Sequence, residues 1–202
     1  MTSLGIIDYG AGNLASVCNS FRAIGIEGKL VRSPQDAEGL THLVLPGVGA
    51  FGDCAEALKK QGLDATIRTW IQQDKPFLGI CIGYQILFDS SEETPGVAGL
   101  GVFRGHVRRF RTKDIKIPHM GWNTVHPTNP AAPIWRGMGE NPHFYYVHSY
   151  YPALCPDTVA TTRHGDCLFS AALKYENFYA TQFHPEKSGE VGERILRNFL
   201  SL

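Results

Sequence analysis

The 202-residue sequence has no apolar run approaching the ~18 residues that a membrane span requires. Its start, Met1-Thr2-Ser3-Leu4-Gly5, lacks the basic segment and apolar stretch of a secretory leader. These absences lead to the expectation of a cytoplasmic protein with no membrane partner. An excess of either charge is missing too. The 19 basic and 19 acidic residues leave a formal net charge of zero, so nucleic acid, which calls for a basic footprint, is not an expected partner. No C-x-x-C occurs, and His143 and His148 do not stand at structural-zinc spacing, so no metal is expected. Cys18, Cys54, Cys81, Cys155 and Cys167 are odd in number, and a chain of this length folds without staples, which argues for reduced thiols. There is no internal repeat and no low-complexity tract.

What is present is enough apolar sequence, 43% of the residues, to enclose one sizeable core, so residues 1–202 are expected to form a single domain. The first half alternates in period. Leu4-Gly5-Ile6-Ile7-Asp8 reads as a buried strand, and Leu14, Val17, Cys18 and Phe21 repeat at helical spacing. Lys29-Leu30-Val31 and His42-Leu43-Val44-Leu45 read as further strands, with a helical turn over Pro34 to Gly39 between them. Leu58 to Trp70 reads as mostly helical, and Pro76-Phe77-Leu78-Gly79-Ile80 as a fourth, fully apolar strand. Such strands belong to a parallel sheet covered on both faces. From Leu100 the rhythm changes to short alternating segments, including Phe144 to Val147, Phe169 to Leu173 and Phe178 to Phe183, which read as antiparallel strands. Val191, Ile195 and Phe199 mark a closing amphipathic helix. Asp89 to Gly101, rich in Ser, Glu, Gly and Pro, reads as a hinge between the halves.

Gly79-Ile80-Cys81-Ile82-Gly83 follows a strand and precedes a helical pattern, Tyr84 to Phe88. That is the context of a nucleophile elbow, in which a sharp turn exposes the central side chain and glycines let neighbouring backbone pass. A thiol at a helix N-terminus is also favoured as thiolate. Gln182-Phe183-His184-Pro185-Glu186-Lys187 lies where a strand pattern stops at a proline. In extended geometry His184 and Glu186 leave on one side, so the carboxylate can orient an imidazole directed at Cys81. Pro46-Gly47-Val48-Gly49-Ala50-Phe51-Gly52 follows the third strand, the position of an oxyanion loop in elbow hydrolases. Taken singly, a buried cysteine, a strand-end histidine and a glycine turn are ordinary structural features. A competing pattern, Gly10-Ala11-Gly12-Asn13-Leu14-Ala15, fits G-x-G-x-x-A, but Arg32-Ser33 stands where a dinucleotide site needs an acid.

Together these elements resemble the class I (triad) glutamine amidotransferases, whose Cys, His and Glu match Cys81, His184 and Glu186. The resemblance covers almost the whole sequence. Within that family Asp8 to Leu14, Pro46 to Phe51, Pro118 to Asn123 and Val147 to Tyr151 are similar to the glutaminase subunits of imidazole glycerol phosphate synthase. Tyr84 departs from the methionine of many relatives. The resemblance implies a flavodoxin-like α/β fold, a mostly parallel central sheet with added antiparallel strands in the C-terminal half. It implies hydrolysis of L-glutamine through a Cys81 thioester without a cofactor, and ammonia delivery to a (β/α)₈-barrel cyclase subunit in histidine biosynthesis, as a heterodimer. By the same likeness Val48, Gly49 and Ile82 form the oxyanion hole, with a peptide at Val48-Gly49 that switches when the cyclase binds its ligand. Gly47, Gly49, Gln85, His148, Ser149 and Tyr150 hold glutamine, and Asn13, Met120, Trp122, Tyr145 and Lys187 meet the cyclase. Met120 and Trp122 are also residue types enriched at interfaces, although burial in the core is an equal reading of Trp122. An amidotransferase subunit of another synthase, a γ-glutamyl peptidase, a cofactor-binding module and a non-catalytic interaction subunit are the alternatives.

Overall fold

The computed structural model describes residues 2–10, 14–111 and 115–202. Its strands are β1 (Leu4–Ile7), β2 (Lys29–Val31), β3 (His42–Leu45), β4 (Phe77–Ile80), β5 (Phe88–Ser91), β6 (Phe103–Arg109), β7 (His119–Thr124), β8 (His126–Pro127), β9 (His143–His148), β10 (Tyr150–Pro152), β11 (Thr158–His164), β12 (Cys167–Tyr175) and β13 (Phe178–Thr181). Its α-helices are α1 (Leu14–Ala23), α2 (Phe51–Lys60), α3 (Leu63–Gln72), α4 (Ile82–Gln85) and α5 (Gly189–Leu200). Among the described residues, no helix is long and apolar enough to cross a membrane.

The central eight-stranded sheet runs β2-β1-β3-β4-β13-β12-β11-β8. From β2 to β13 every pairing is parallel, and from β13 to β8 every pairing is antiparallel. The parallel part has the flavodoxin-like order, with β13 as its last strand. β1, β3, β4 and β13 are buried at every position, because side chains of alternating direction enter two separate cores. Val44, Leu78 and Ile80 pack with Val17 and Phe21 of α1 and Ile195 and Phe199 of α5. Leu43, Leu45 and Phe77 pack with Leu58 of α2 and Ile67 and Trp70 of α3 on the opposite face. Beside this sheet lie a three-stranded sheet, β10-β6-β5, and the two-stranded β7-β9.

Four expectations from the sequence need correction. The helix read over Leu58 to Trp70 is two helices, divided at Gly62, whose φ of +70° an L side chain tolerates poorly. The helix read over Tyr84 to Phe88 stops at Gln85. The Ile86 carbonyl accepts from Leu100 N–H at 2.7 Å and the Leu87 carbonyl from Val102 N–H at 2.8 Å, so these groups pair with a distant segment and Phe88 opens a strand. The same bonds, with Gly99 N–H to the Asp89 carbonyl at 2.9 Å, fasten the supposed hinge Asp89 to Gly101 into the fold. β13 also ends two residues earlier than read, at Thr181.

The two elbow glycines are required by close packing. A Cβ on Gly79 would lie 2.7 Å from the Gly83 carbonyl oxygen, and one on Gly83 would run into the Leu45 carbonyl oxygen at the end of β3. Helix α4 thus rests directly on the sheet. Gly83→Ala is expected to lower stability by about 1–3 kcal/mol, the usual range for overpacking; an unchanged denaturant midpoint would show that the elbow shifts freely.

Candidate active site

Cys81 follows β4 and carries φ +55° and ψ −106°, a region that non-glycine residues occupy only when their surroundings enforce it. Two sets of bonds do so. Its N–H donates to the Thr181 carbonyl of β13 at 2.8 Å, and its carbonyl accepts from Tyr84 and Gln85 N–H, each at 3.0 Å, starting α4. Since α4 is a single turn, the full helix dipole anticipated for the thiol is reduced to local N–H groups.

His184 lies beyond the end of β13, and its juxtaposition with Glu186 does not arise from extended backbone. Pro185–Lys187 form a 3₁₀ turn capped by His184, and this tight turn brings Glu186 Oε1 to 2.7 Å from His184 Nδ1. The turn is fixed from both sides. His184 N–H donates to the Tyr145 carbonyl at 2.9 Å, while the Ser188 hydroxyl donates to the His184 carbonyl at 2.6 Å and accepts from Tyr145 N–H at 3.0 Å. Both side chains of the His184–Glu186 pair are buried. Burial alone would push the imidazole pKa down, but the Cys81 sulfur, followed by Glu186, pushes it up to about 10. Among the described residues Nε2 has no other hydrogen-bond partner, which leaves it to the sulfur and a substrate proton.

Cys81 and His184 open into a cavity of about 340 Å³. Val48, Gly49, Ile82, Gln85, His148, Ser149 and Tyr150 all line it. Gly47 does not. A Cβ there would sit 2.6 Å from Gly83 N and 2.8 Å from Ile82 Cβ, so Gly47 packs beneath the elbow instead of facing a ligand. His148 reaches the cavity with both ring nitrogens already engaged, Nδ1 by the Tyr150 carbonyl at 2.7 Å and Nε2 by His119 at 3.0 Å. Among the described residues the buried Oε1 of Gln85 has no partner. A larger groove of about 850 Å³, lined by Arg68, Phe103 and Tyr175, contains none of these residues.

The family model for class-I glutamine amidotransferases matches residues 5–202. The chain belongs to that family. Among its relatives is the imidazole glycerol phosphate synthase subunit HisH of Synechococcus sp. (strain JA-3-3Ab), 47% identical over 98% of this chain and 92% of that protein. The imidazole glycerol phosphate synthase hisHF of Emericella nidulans is 41% identical, and its match spans 99% of this chain but 38% of that longer protein. The solved structure of PurLQS from Thermotoga maritima, at 16% identity and a TM-score of 0.77, covers 100% of this chain and 99% of its own, and shares the fold.

In this class-I amidotransferase the residues expected at a partner surface gather next to the His184 turn. Met120 is 63% and Trp122 57% exposed, so the core reading of Trp122 does not hold. The Trp122 and Tyr145 rings meet edge-on at 6.3 Å, and Lys187 Nζ lies 5.8 Å from the Tyr145 ring. Asn13 lies outside the described residues. Arg32, which stands where a dinucleotide site needs an acid, is paired with Asp8 at 2.8 Å. Tyr84 is fully buried and its hydroxyl donates to Ser170 at 2.7 Å, which accounts for a tyrosine at that position.

Glu93, Pro118 and Val147 also line the cavity; Pro118 and Val147 belong to motifs seen in the sequence but without an assigned role, and Glu93 belongs to none. Glu93 sits in the segment that reads as a hinge, and only the fold turns it inward. Its Oε2 accepts the Phe51 N–H at the start of α2 at 2.9 Å. Burial raises its pKa, opposed by that N–H and reinforced by Asp53.

A raised histidine pKa means that interactions of the charged ring contribute stability in full below its ordinary value of 6.5 and lose it as pH climbs toward about 10. His184 is therefore expected to remain protonated at pH 8 by ring NMR. In Cys81→Ala its titration should move to lower pH; an unmoved midpoint would remove the sulfur as the cause.

Proposed function

We propose that this class-I amidotransferase is the glutaminase subunit of an imidazole glycerol phosphate synthase. It hydrolyses L-glutamine to glutamate and passes the ammonia to a cyclase subunit. One observation carries the reading: a single residue, Tyr145, ties the exposed Trp122–Tyr145–Lys187 surface to the histidine of the nucleophile's cavity. The Tyr145 main chain clasps His184 while its ring faces outward. An enzyme that hands a small, diffusible product to a partner needs its chemistry directly beneath the docking surface.

In the reaction the Cys81 sulfur attacks the side-chain amide carbon, and the oxyanion is held by N–H groups of Ile82 and the Val48-Gly49 segment. Gly49, at φ +112°, has open space around its Cα, so the Val48–Gly49 peptide can turn over at little steric cost. Imidazolium at His184 gives its Nε2 proton to the departing nitrogen, and ammonia leaves a glutamyl thioester. His184, now neutral, takes a proton from water as the water attacks that thioester, and the sulfur leaves as thiolate, releasing glutamate and restoring the thiolate–imidazolium pair. Glu186 holds the ring throughout. The unpaired Gln85 Oε1 and the Glu93 carboxylate are the acceptors for the substrate ammonium, and Ser149 and Tyr150 complete that end of the site.

The relationship to the Synechococcus HisH protein supports this pathway. So does the Emericella relative, in which the matching region is continuous with a longer synthase chain. The cyclase is read as a separate (β/α)₈ barrel that docks one-to-one on Met120, Trp122, Tyr145 and Lys187. Cys81→Ala should abolish glutamine hydrolysis while retaining cyclase binding. The wild-type chain should be slow alone and accelerate with cyclase and its phosphorylated ligand; equal rates under all three conditions would contradict a docked switch.

Trp122→Ala and Lys187→Glu remove exposed groups that make no core contact. Each is expected to weaken cyclase binding by about tenfold, the scale of an interface anchor, with the melting temperature unchanged. Titration calorimetry showing wild-type affinity for both would move the docking surface elsewhere.

A further inference from the structure

From the Cys81 sulfur a continuous line of buried polar groups leads outward. Gln182 Nε2 lies 3.6 Å from Sγ, and Gln182 Oε1 accepts from Gln85 Nε2 at 3.0 Å. The same Gln85 nitrogen donates to the Tyr150 carbonyl at 2.9 Å. That carbonyl also takes His148 Nδ1, at 2.7 Å. His148 Nε2 meets His119 Nδ1 at 3.0 Å, and His119 Nε2 meets Asn123 Nδ2 at 3.1 Å. Asn123 Nδ2 reaches the Arg163 carbonyl as well, at 2.9 Å. His119 and Asn123 belong to β7, whose intervening residue pattern puts Met120 and Trp122 on the exposed side.

One atom sets the direction of every proton in this line. A carbonyl oxygen only accepts, so at Tyr150 both Gln85 and His148 must donate. Inward, Gln85 then offers its second N–H to Gln182, which must answer with oxygen and turn its own NH₂ toward the sulfur. Flipping the Gln182 amide would set NH₂ against NH₂. Outward, His148 carries its proton on Nδ1, so its Nε2 accepts, His119 donates from Nδ1, and His119 Nε2 accepts from Asn123. No link is left to choice.

We infer that Gln182 is a catalytic residue whose amide N–H holds the Cys81 sulfur, aimed by a buried hydrogen-bond chain that begins at Asn123 on the strand carrying Met120 and Trp122. The word catalytic rests on the amidotransferase reading; the chain itself does not. The donor strengthens as the sulfur gains charge and weakens as the thioester forms, so it favours the attacking state and fixes its direction.

The chain needs neutral rings, because a second proton on either would face N–H with N–H. Burial, then His164, pushes His119 down to about 3, and burial, then His119, lowers His148. Among the described residues, the groups facing them supply no compensating anion: Tyr146 and His164 stack on His119 at 4.6 and 4.0 Å, and His184 adds a positive charge near His148.

The test uses the full chain, with ring-nitrogen NMR, alkylation of Cys81 by iodoacetamide, and glutamine turnover in the presence of cyclase. At neutral pH both His119 and His148 should be the Nδ1–H tautomer; Nε2–H or imidazolium at either overturns the chain. Gln182→Leu should slow alkylation and lower kcat by about ten- to a hundredfold, the scale of a hydrogen bond to a charged group, with KM within about twofold. Wild-type alkylation overturns the role of Gln182. Asn123→Asp turns an oxygen toward His119 Nε2 and forces a proton onto it, whereas Asn123→Ala only removes a bond. Asp should therefore slow alkylation more than Ala; the reverse order, or equality, is what a merely structural asparagine gives and would sink the proposal. If Gln182→Leu does not fold, the Asn123 pair and the tautomers still decide. Failure of the wild-type chain to hydrolyse glutamine would strike the proposed function and leave these readouts standing.

Discussion

The parallel pairing of β4 with β13 is the constraint on which the rest of the site depends. Gly79 and Ile80 lie opposite Ala180 and Thr181, and Cys81 N–H closes the ladder on the Thr181 carbonyl. Two strand ends separated by about half of the chain thereby finish at one level. Everything chemical happens in the few residues after each end: an elbow after one, a 3₁₀ turn after the other. Parallel neighbours cannot be joined by a short turn, so β13 must arrive from the antiparallel half through β11 and β12. This explains why the second half of the chain, so different in rhythm, is structurally part of the first.

Packing around the elbow shows how a strained nucleophile is held. Cys81 keeps an unfavourable backbone conformation because Gly47, Gly79 and Gly83 let β3, β4 and α4 approach more closely than any side chain allows. Strain of this kind persists only where surrounding contacts leave no alternative. The imidazole is treated the same way. Its main chain is clasped by Tyr145, its ring by Glu186, and its charge is set by the sulfur opposite.

The parallel strands, the elbow and the strand-end histidine were legible in the sequence because each carries a local signature: apolar runs, paired glycines, a proline stop. The short length of α4 was not legible, since Ile86 and Leu87 have helical character and are diverted only by bonds to Leu100 and Val102. The route by which Glu186 meets His184 was misread for a similar reason, as a two-residue spacing serves an extended strand and a tight turn equally well. Glu93 carried no local signal at all, and Gln182 stood in the His184 motif without a role of its own. Glu93 lies in a polar stretch resembling any loop, and Gln182 acquires meaning only from the partners that the fold supplies on either side. Gly47 shows a demand that the motif did not reveal, since the fold needs a glycine there for close packing against the elbow.

Tyr145 answers to two different demands with two different sets of atoms. Its clasp on His184 is made by a carbonyl and an N–H that any residue other than proline possesses, while only its ring contributes to the outer surface. Substitution there alters the face shown to another protein and leaves the histidine where it is. A docking surface built this way is free to drift over generations, following changes in whatever it meets, without the chemistry beneath it having to be rediscovered at each step.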